Sequence, residues 1–306
     1  MRYLLTYFKG MAMGVADVVP GVSGGTIAFI TGILDELLNS IRRINPKLLA
    51  VIKNDGIKAA FNYINGTFLV CLFSGILTSI FTLAKLISYL LEYHPIPVWS
   101  FFFGLILISV IHMLKQVHGI NIIKVGIFVL GVAVAYIITV LNPVSMEPSS
   151  FNIILGGAIA ICAMILPGIS GSFILLLLGL YAPIISAVKS VDLTIISLFA
   201  IGAIVGLLTF SHVLSALLKH FHDETLIFLT GLMLGTLGKI WPWKEVISWR
   251  VNSHGKQVPL LEQNLLPWHY EQIVGQDSKL ILAIACMVFG IAIVWMLERF
   301  SKPSQN

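Results

Sequence analysis

The chain has 306 residues, 58% of them hydrophobic and only 11% charged, with a formal net charge of +5 at pH 7. Together with a mean hydropathy of +0.96, this excludes an ordinary soluble domain and argues against nucleic acid as a partner; it marks a membrane protein with several spans. The three cysteines, Cys71, Cys162 and Cys286, sit inside apolar stretches without metal-ligand spacing and read as small packing residues.

Arg2 and Lys9 precede an apolar run in the manner of a signal peptide, but cleavage would discard the motif described next, so the segment is taken as mature protein. Residues 11–38 form the first apolar stretch. It is broken in the middle by Pro20-Gly21-Val22-Ser23-Gly24-Gly25-Thr26. Proline removes a donor and glycine admits close approaches, so a helical hairpin that dips into the membrane and returns is expected. Residues 39–65 form a basic loop with Arg42, Arg43, Lys47, Lys53 and Lys58. Spans follow at 66–91, 98–114 and 122–141, then a polar loop that begins at Asn142-Pro143.

The order then begins again. A second hairpin at 153–188 is broken by Pro167-Gly168-Ile169-Ser170-Gly171-Ser172, and spans follow at 193–218, 226–240 and 280–297. Pro167 stands 147 positions after Pro20, and Gly157 and Gly179 answer Gly10 and Gly32 at the same offset. Beyond the motif the offset is 127, pairing Gly75 with Gly202 and Gly104 with Gly231. The expected fold is therefore an all-α polytopic membrane protein of two repeats, 1–145 and 150–306, each a re-entrant helical hairpin plus three transmembrane helices. An odd number of crossings per half makes the repeats inverted. This arrangement puts twelve basic residues, including those of the 39–65 loop, on the side of both termini and six on the other, which makes the termini cytoplasmic.

The loop at 241–278 is expected outside. It carries Trp241, Trp243, Trp249 and Trp268 among Lys244, Arg250 and Lys256. That mixture suits anchoring in the headgroup layer, with a small folded cap or direct substrate capture as the alternatives.

Inverted repeats with interrupted helices at matching positions point to a binding site at the repeat interface and to alternating access. Half-helix N-termini carrying Ser23, Gly24, Gly25 and Thr26 on one side and Ser170, Gly171 and Ser172 on the other would present amides and hydroxyls to an anion such as phosphate or carboxylate. The competing reading is a pair of kinked helices that pack closely through small residues. Asp17 is the ionisable group of most interest, since an intramembrane acid needs a partner. It could pair with Lys85, brace the hairpin through local amides, or carry a coupling proton; its counterpart in the second half is Met164. Lys85 could equally snorkel to the interface. Asp35 and Glu36 are placed to pair with Arg42 and Arg43, and His112 and His212 read as packed histidines. No catalytic constellation and no metal site are expected.

The run Met13-Gly14-Val15-Ala16-Asp17-Val18-Val19-Pro20-Gly21-Val22-Ser23-Gly24-Gly25-Thr26, with Pro167-Gly168-Ile169-Ser170-Gly171-Ser172-Phe173 and Gly179-Leu180-Tyr181, resembles the paired motifs of the polyprenyl-phosphate transporter family called PopT. The resemblance covers essentially the whole chain. It implies a prokaryotic inner-membrane transporter, not an enzyme, that returns undecaprenyl phosphate from the outer to the cytoplasmic leaflet for peptidoglycan and other envelope synthesis. The headgroup would lie on the two motifs and the isoprenoid chain in lipid while one half rocks against the other. No cofactor is implied; coupling to H+ or Na+ is an open alternative, as is a transporter or channel for a small anion or metabolite.

Overall fold

The computed structural model describes residues 2–19, 22–141, 143–144, 146–251 and 257–301. The breaks Pro20 and Gly21 lie outside the described residues.

Helix α1 (Arg2–Val18) starts nine residues earlier than the expected hairpin at residue 11 and runs into the first break. Two short helices follow, α2 (Gly24–Ile30) and α3 (Leu34–Arg42). The basic segment 39–65, expected as a loop, is largely helical: α4 (Pro46–Tyr63) begins on a proline, is capped by the Asn45 side chain and kinks at Gly56, where φ is 81°. Leu49 and Ile57 are exposed on it beside its lysines, the make-up of a helix that lies along a membrane surface. Then come α5 (Gly66–Tyr93), α6 (Pro95–Gln116) and α7 (Ile122–Val140).

The later elements are α8 (Ser150–Ile165), α9 (Gly171–Leu177), α10 (Tyr181–Ser190), α11 (Leu193–His220), α12 (His222–Gly235), α13 (Pro267–Val274) and α14 (Leu280–Ser301). Their starts follow local chemistry. Ser149 caps α8, and the Asp192 carboxylate accepts the N–H groups of Thr194 and Ile195 at the start of α11. Among the described residues, α5, α6, α7 and α11 are long and apolar enough to cross a membrane alone, α8 and α14 are shorter apolar helices, and α9 and α10 form a pair bent by 111°. The expected span at 226–240 is divided: α12 covers 14 residues, about 21 Å at 1.5 Å per residue, and a 3-10 turn (Leu237–Ile240) completes it.

The segment 241–278 departs from an all-α chain. It folds as a two-stranded antiparallel hairpin, β1 (Lys244–Val251) and β2 (Gln257–Asn264), followed by α13. Trp243 is buried, and its indole N–H donates to the Ser278 carbonyl at 2.8 Å; that of Trp241 donates to the Leu265 carbonyl at 2.7 Å. Trp243 and Tyr270 pack with Ile96 of α6 and Ala283 of α14. These contacts make a small folded cap, from which Trp249 and Trp268 stay exposed.

The body is held by four close helix pairs: α1 on α5, α8 on α11, α6 on α14 and α7 on α12. Lipid offers no hydrophobic drive for helices to associate, so backbone approach over small residues has to supply the contact. A Cβ on Gly10 would overlap the Leu72 carbonyl oxygen and one on Gly75 that of Tyr7; in the second pair, Gly157 faces the Phe199 carbonyl and Gly202 that of Ile154. The same recurrence joins the other two pairs, where Gly104 meets Met287 and Gly290 meets Phe101, while Gly231 meets Phe128 and Gly131 meets Phe228. At the starts of α7 and α12, buried Lys124 pairs with Asp223 at 2.8 Å. Arg42 and Arg43 do not pair with Asp35 and Glu36. Arg42 donates to the Ser215 hydroxyl of α11, Arg43 to the Tyr63 carbonyl, and Glu36 accepts from Asn65.

Candidate functional site

The two broken segments meet tip to tip. In the first, the chain leaves α1 and re-enters helix at Gly24, with Ser23 extended at φ −122°, ψ 149° and its hydroxyl accepting the Thr26 N–H at 3.2 Å. Asp17 at the end of α1 accepts the Gly24 N–H at 2.6 Å. Two of the donors at the start of α2 are thereby filled from within the hairpin. In the second, Gly168 turns the chain at φ 88°, a value that favours glycine, and α9 begins after Ser170 with no side-chain cap.

Two hydrogen bonds tie the tips together. The Gly168 N–H donates to the Thr26 hydroxyl oxygen at 2.8 Å, and the Ser23 hydroxyl donates to the Leu166 carbonyl at 3.2 Å. Ser23 and Thr26 are 1% and 0% exposed, so these bonds form where water cannot replace them. Gly24 and Gly25 serve close approach: a side chain on Gly24 would strike the Asp17 carboxylate, and one on Gly25 the carbonyls of Met164 and Ile165. Gly171 packs against the Ala160 carbonyl in the same way.

The site residues therefore divide. Ser23, Gly24, Gly25 and Thr26 are enclosed, as are Pro167, Gly168 and Gly171, whereas Ser170 is half-buried and Ser172 exposed. The hydroxyls of Ser170 and Ser172 lie 2.9 Å apart. Where the first hairpin has Asp17, the second has the partly exposed Met164, whose Cβ lies beside Gly171. Nothing in the second hairpin fills the start of α9 as Asp17 and Ser23 fill that of α2. Asp17 makes its bond to Gly24 and none to Lys85, which is exposed on α5.

Lys239 is one of the six basic residues expected on the outer side. Its ammonium stands 5.3 Å from the centre of the Phe173 ring, next in the chain to Ser172, and 3.4 Å from Glu262 of the cap. The 127 offset, which pairs Lys239 with His112, was the available signal. His112 itself lines a cavity of about 630 Å³ with Lys9, Asp35, Lys115 and His222, beside the last turn of α2. The His212 Nδ1–H donates to the Leu208 carbonyl within its own helix, at 2.7 Å.

A family profile described as VCA0040-like, undecaprenyl phosphate translocase-like, matches residues 13–258, most of the chain and both hairpin tips. The chain belongs to this family. Among its translocase-like relatives, a polyprenyl-phosphate transporter of Vibrio cholerae serotype O1 is 60% identical over 302 residues, covering 99% of this chain and 98% of the relative. A polyprenyl-phosphate transporter of Staphylococcus aureus is 31% identical over 268 residues, covering 81% of this chain and 90% of the relative. No solved structure matches the chain.

Proposed function

We propose that this translocase-like protein is a multi-pass inner-membrane transporter that carries undecaprenyl phosphate from the outer to the cytoplasmic leaflet, returning the carrier lipid for envelope synthesis without chemical change. Membership of the family and the two polyprenyl-phosphate transporters support the substrate. The architecture in this reading is two inverted repeats, 1–145 and 150–306, each a re-entrant hairpin plus three membrane helices, with both termini in the cytoplasm. The recurrence of close glycine contacts in corresponding helix pairs supports it.

The phosphate headgroup is held between the hairpin tips, and the two tips play different parts. The observation that carries this is the unequal filling of the helix starts. Asp17 and Ser23 take amides of α2, while α9 begins without a side-chain cap beside the accessible hydroxyls of Ser170 and Ser172. An anion arriving there meets amide donors and two hydroxyls at the positive end of the helix. Ser23 and Thr26, bonded to the facing tip, become available when the Thr26–Gly168 and Ser23–Leu166 bonds open, which links headgroup capture to movement of one hairpin on the other.

Leaflet-resolved transport of labelled undecaprenyl phosphate in proteoliposomes tests the proposal. The double variant Ser170→Ala, Ser172→Ala is expected to lose headgroup binding and transport while remaining folded. Full transport by that variant, or equal flux of a small anion through liposomes lacking polyprenyl phosphate, overturns it.

A further inference from the structure

A second cavity, of about 420 Å³, lies between α7, α11 and α12. Ile127 comes from α7, Phe210 and Leu214 from α11, Thr225 and Phe228 from α12, and Leu166 from the end of α8 completes the lining. Thr225 contributes little polarity, because its hydroxyl donates to the Phe221 carbonyl at 2.7 Å. Glu224 is the one ionisable residue of the lining, and it stands at the start of α12 beside exposed Phe221. Size and lining are those of a pocket for an apolar ligand with little hydrogen-bonding demand.

Leu166 decides the occupant. Leu166 immediately precedes the second break, and its carbonyl accepts the Ser23 hydroxyl of the facing tip. The groove between these three helices thus shares Leu166 with the tips where the headgroup is placed. A ligand filling both places needs a compact anion joined to a long apolar chain. We propose that this groove seats the first isoprene units of the polyprenyl phosphate, next to the headgroup. The inference rests on the transport reading above and adds to it that the chain is recognised by the protein and not left wholly to lipid. Glu224, in the first turn of α12, repels phosphate, which orients the ligand with its head at Leu166 and its chain away from it. Removing apolar chain from an aqueous reference contributes nothing here, since lipid is as apolar as the groove. What the groove adds is close packing and a fixed direction for the first units of the chain.

The test uses the full-length protein in nanodiscs with a series of isoprenyl phosphates of increasing chain length, the longest being undecaprenyl phosphate. Wild-type affinity is expected to rise with the first few units and then level off. Leu214→Trp and Phe210→Trp, which fill the groove from α11, are expected to flatten that rise while leaving the binding of the shortest phosphate unchanged. A diazirine on the isoprene units nearest the phosphate is expected to label residues 210–229. An unchanged chain-length dependence in a folded variant, or labelling confined to other helices, overturns the groove. Failure of the headgroup site is read separately: the Ser170→Ala, Ser172→Ala variant would then bind the shortest phosphate as wild type does.

Discussion

Thr26 and Gly168, one from each half of the chain, are joined by a hydrogen bond of 2.8 Å from the Gly168 N–H to the Thr26 hydroxyl. Thr26→Val keeps the shape and removes the acceptor, leaving a buried N–H without a partner. Such a loss costs about 1–3 kcal/mol, charged against the state in which the tips touch. Faster hydrogen exchange around residue 168 and slower transport are expected in the variant; Thr26→Ser should restore both.

Asp17 braces its hairpin through Gly24, so the requirement is for an acceptor and not for a charge. Asp17→Asn retains an acceptor oxygen and is expected to keep most of the transport at every external pH tested. Asp17→Ala is expected to lose transport. Loss in Asp17→Asn with a folded protein would give the residue to proton coupling instead.

Met164 stands where Asp17 stands in the first hairpin, with its Cβ beside Gly171. Met164→Asp places a carboxylate at the uncapped start of α9. It is expected to occupy the amides offered to phosphate and to abolish headgroup binding, measured with a short isoprenyl phosphate, while Met164→Leu binds normally.

How much of this was legible follows particular residues. Pro167-Gly168 and the glycines at fixed offsets marked the break between α8 and α9 and the close helix contacts, because proline and close backbone approach leave marks on residue type. The partner of Asp17 was not readable. It lies seven residues on, beyond the end of α1, where no helical or strand spacing predicts a contact. The fate of Ser23 and Thr26 was hidden for a similar reason: a hydroxyl that could hold an anion serves equally well to hold the opposite tip. Helix α4 was missed because its charge concealed its pattern. The β-hairpin did carry a signal in Val246, Ile247, Trp249 and Val251, β-branched and aromatic residues ahead of Asn252, Ser253 and Gly255, which the aromatic and basic content of the loop obscured.

Gly75 and Gly202 occupy corresponding contacts, on the Tyr7 and Ile154 carbonyls. Valine at either position has to push apart a helix pair, so Gly75→Val and Gly202→Val are expected to lower thermal stability in detergent by similar amounts. A large effect at one position and none at the other would contradict the correspondence.

Lys244 belongs to the cap, with its side chain 7% exposed and its ammonium over the Trp99 ring. Burial lowers its pKa from 10.5 to about 8, against the pull of Glu262. Below pH 8 both the folded and the unfolded cap hold the proton, and the cost of burying it is present in full. Between about 8 and 10.5 the unfolded cap binds it more tightly, so folding gains stability as pH rises. Limited proteolysis of the cap is expected to slow across that window, and Lys244→Met to flatten the dependence.

The pairing of α6 with α14 and of α7 with α12 crosses between the first and second halves of the chain. Each half has lent the other a helix, and four helices are interlaced into one block that belongs to neither. On the transport reading proposed above, this shared block is expected to stay still while the hairpins swing with α5 and α11, on which they lie. A half expressed alone would lack its borrowed partners, and the two halves would have to be made together to fold.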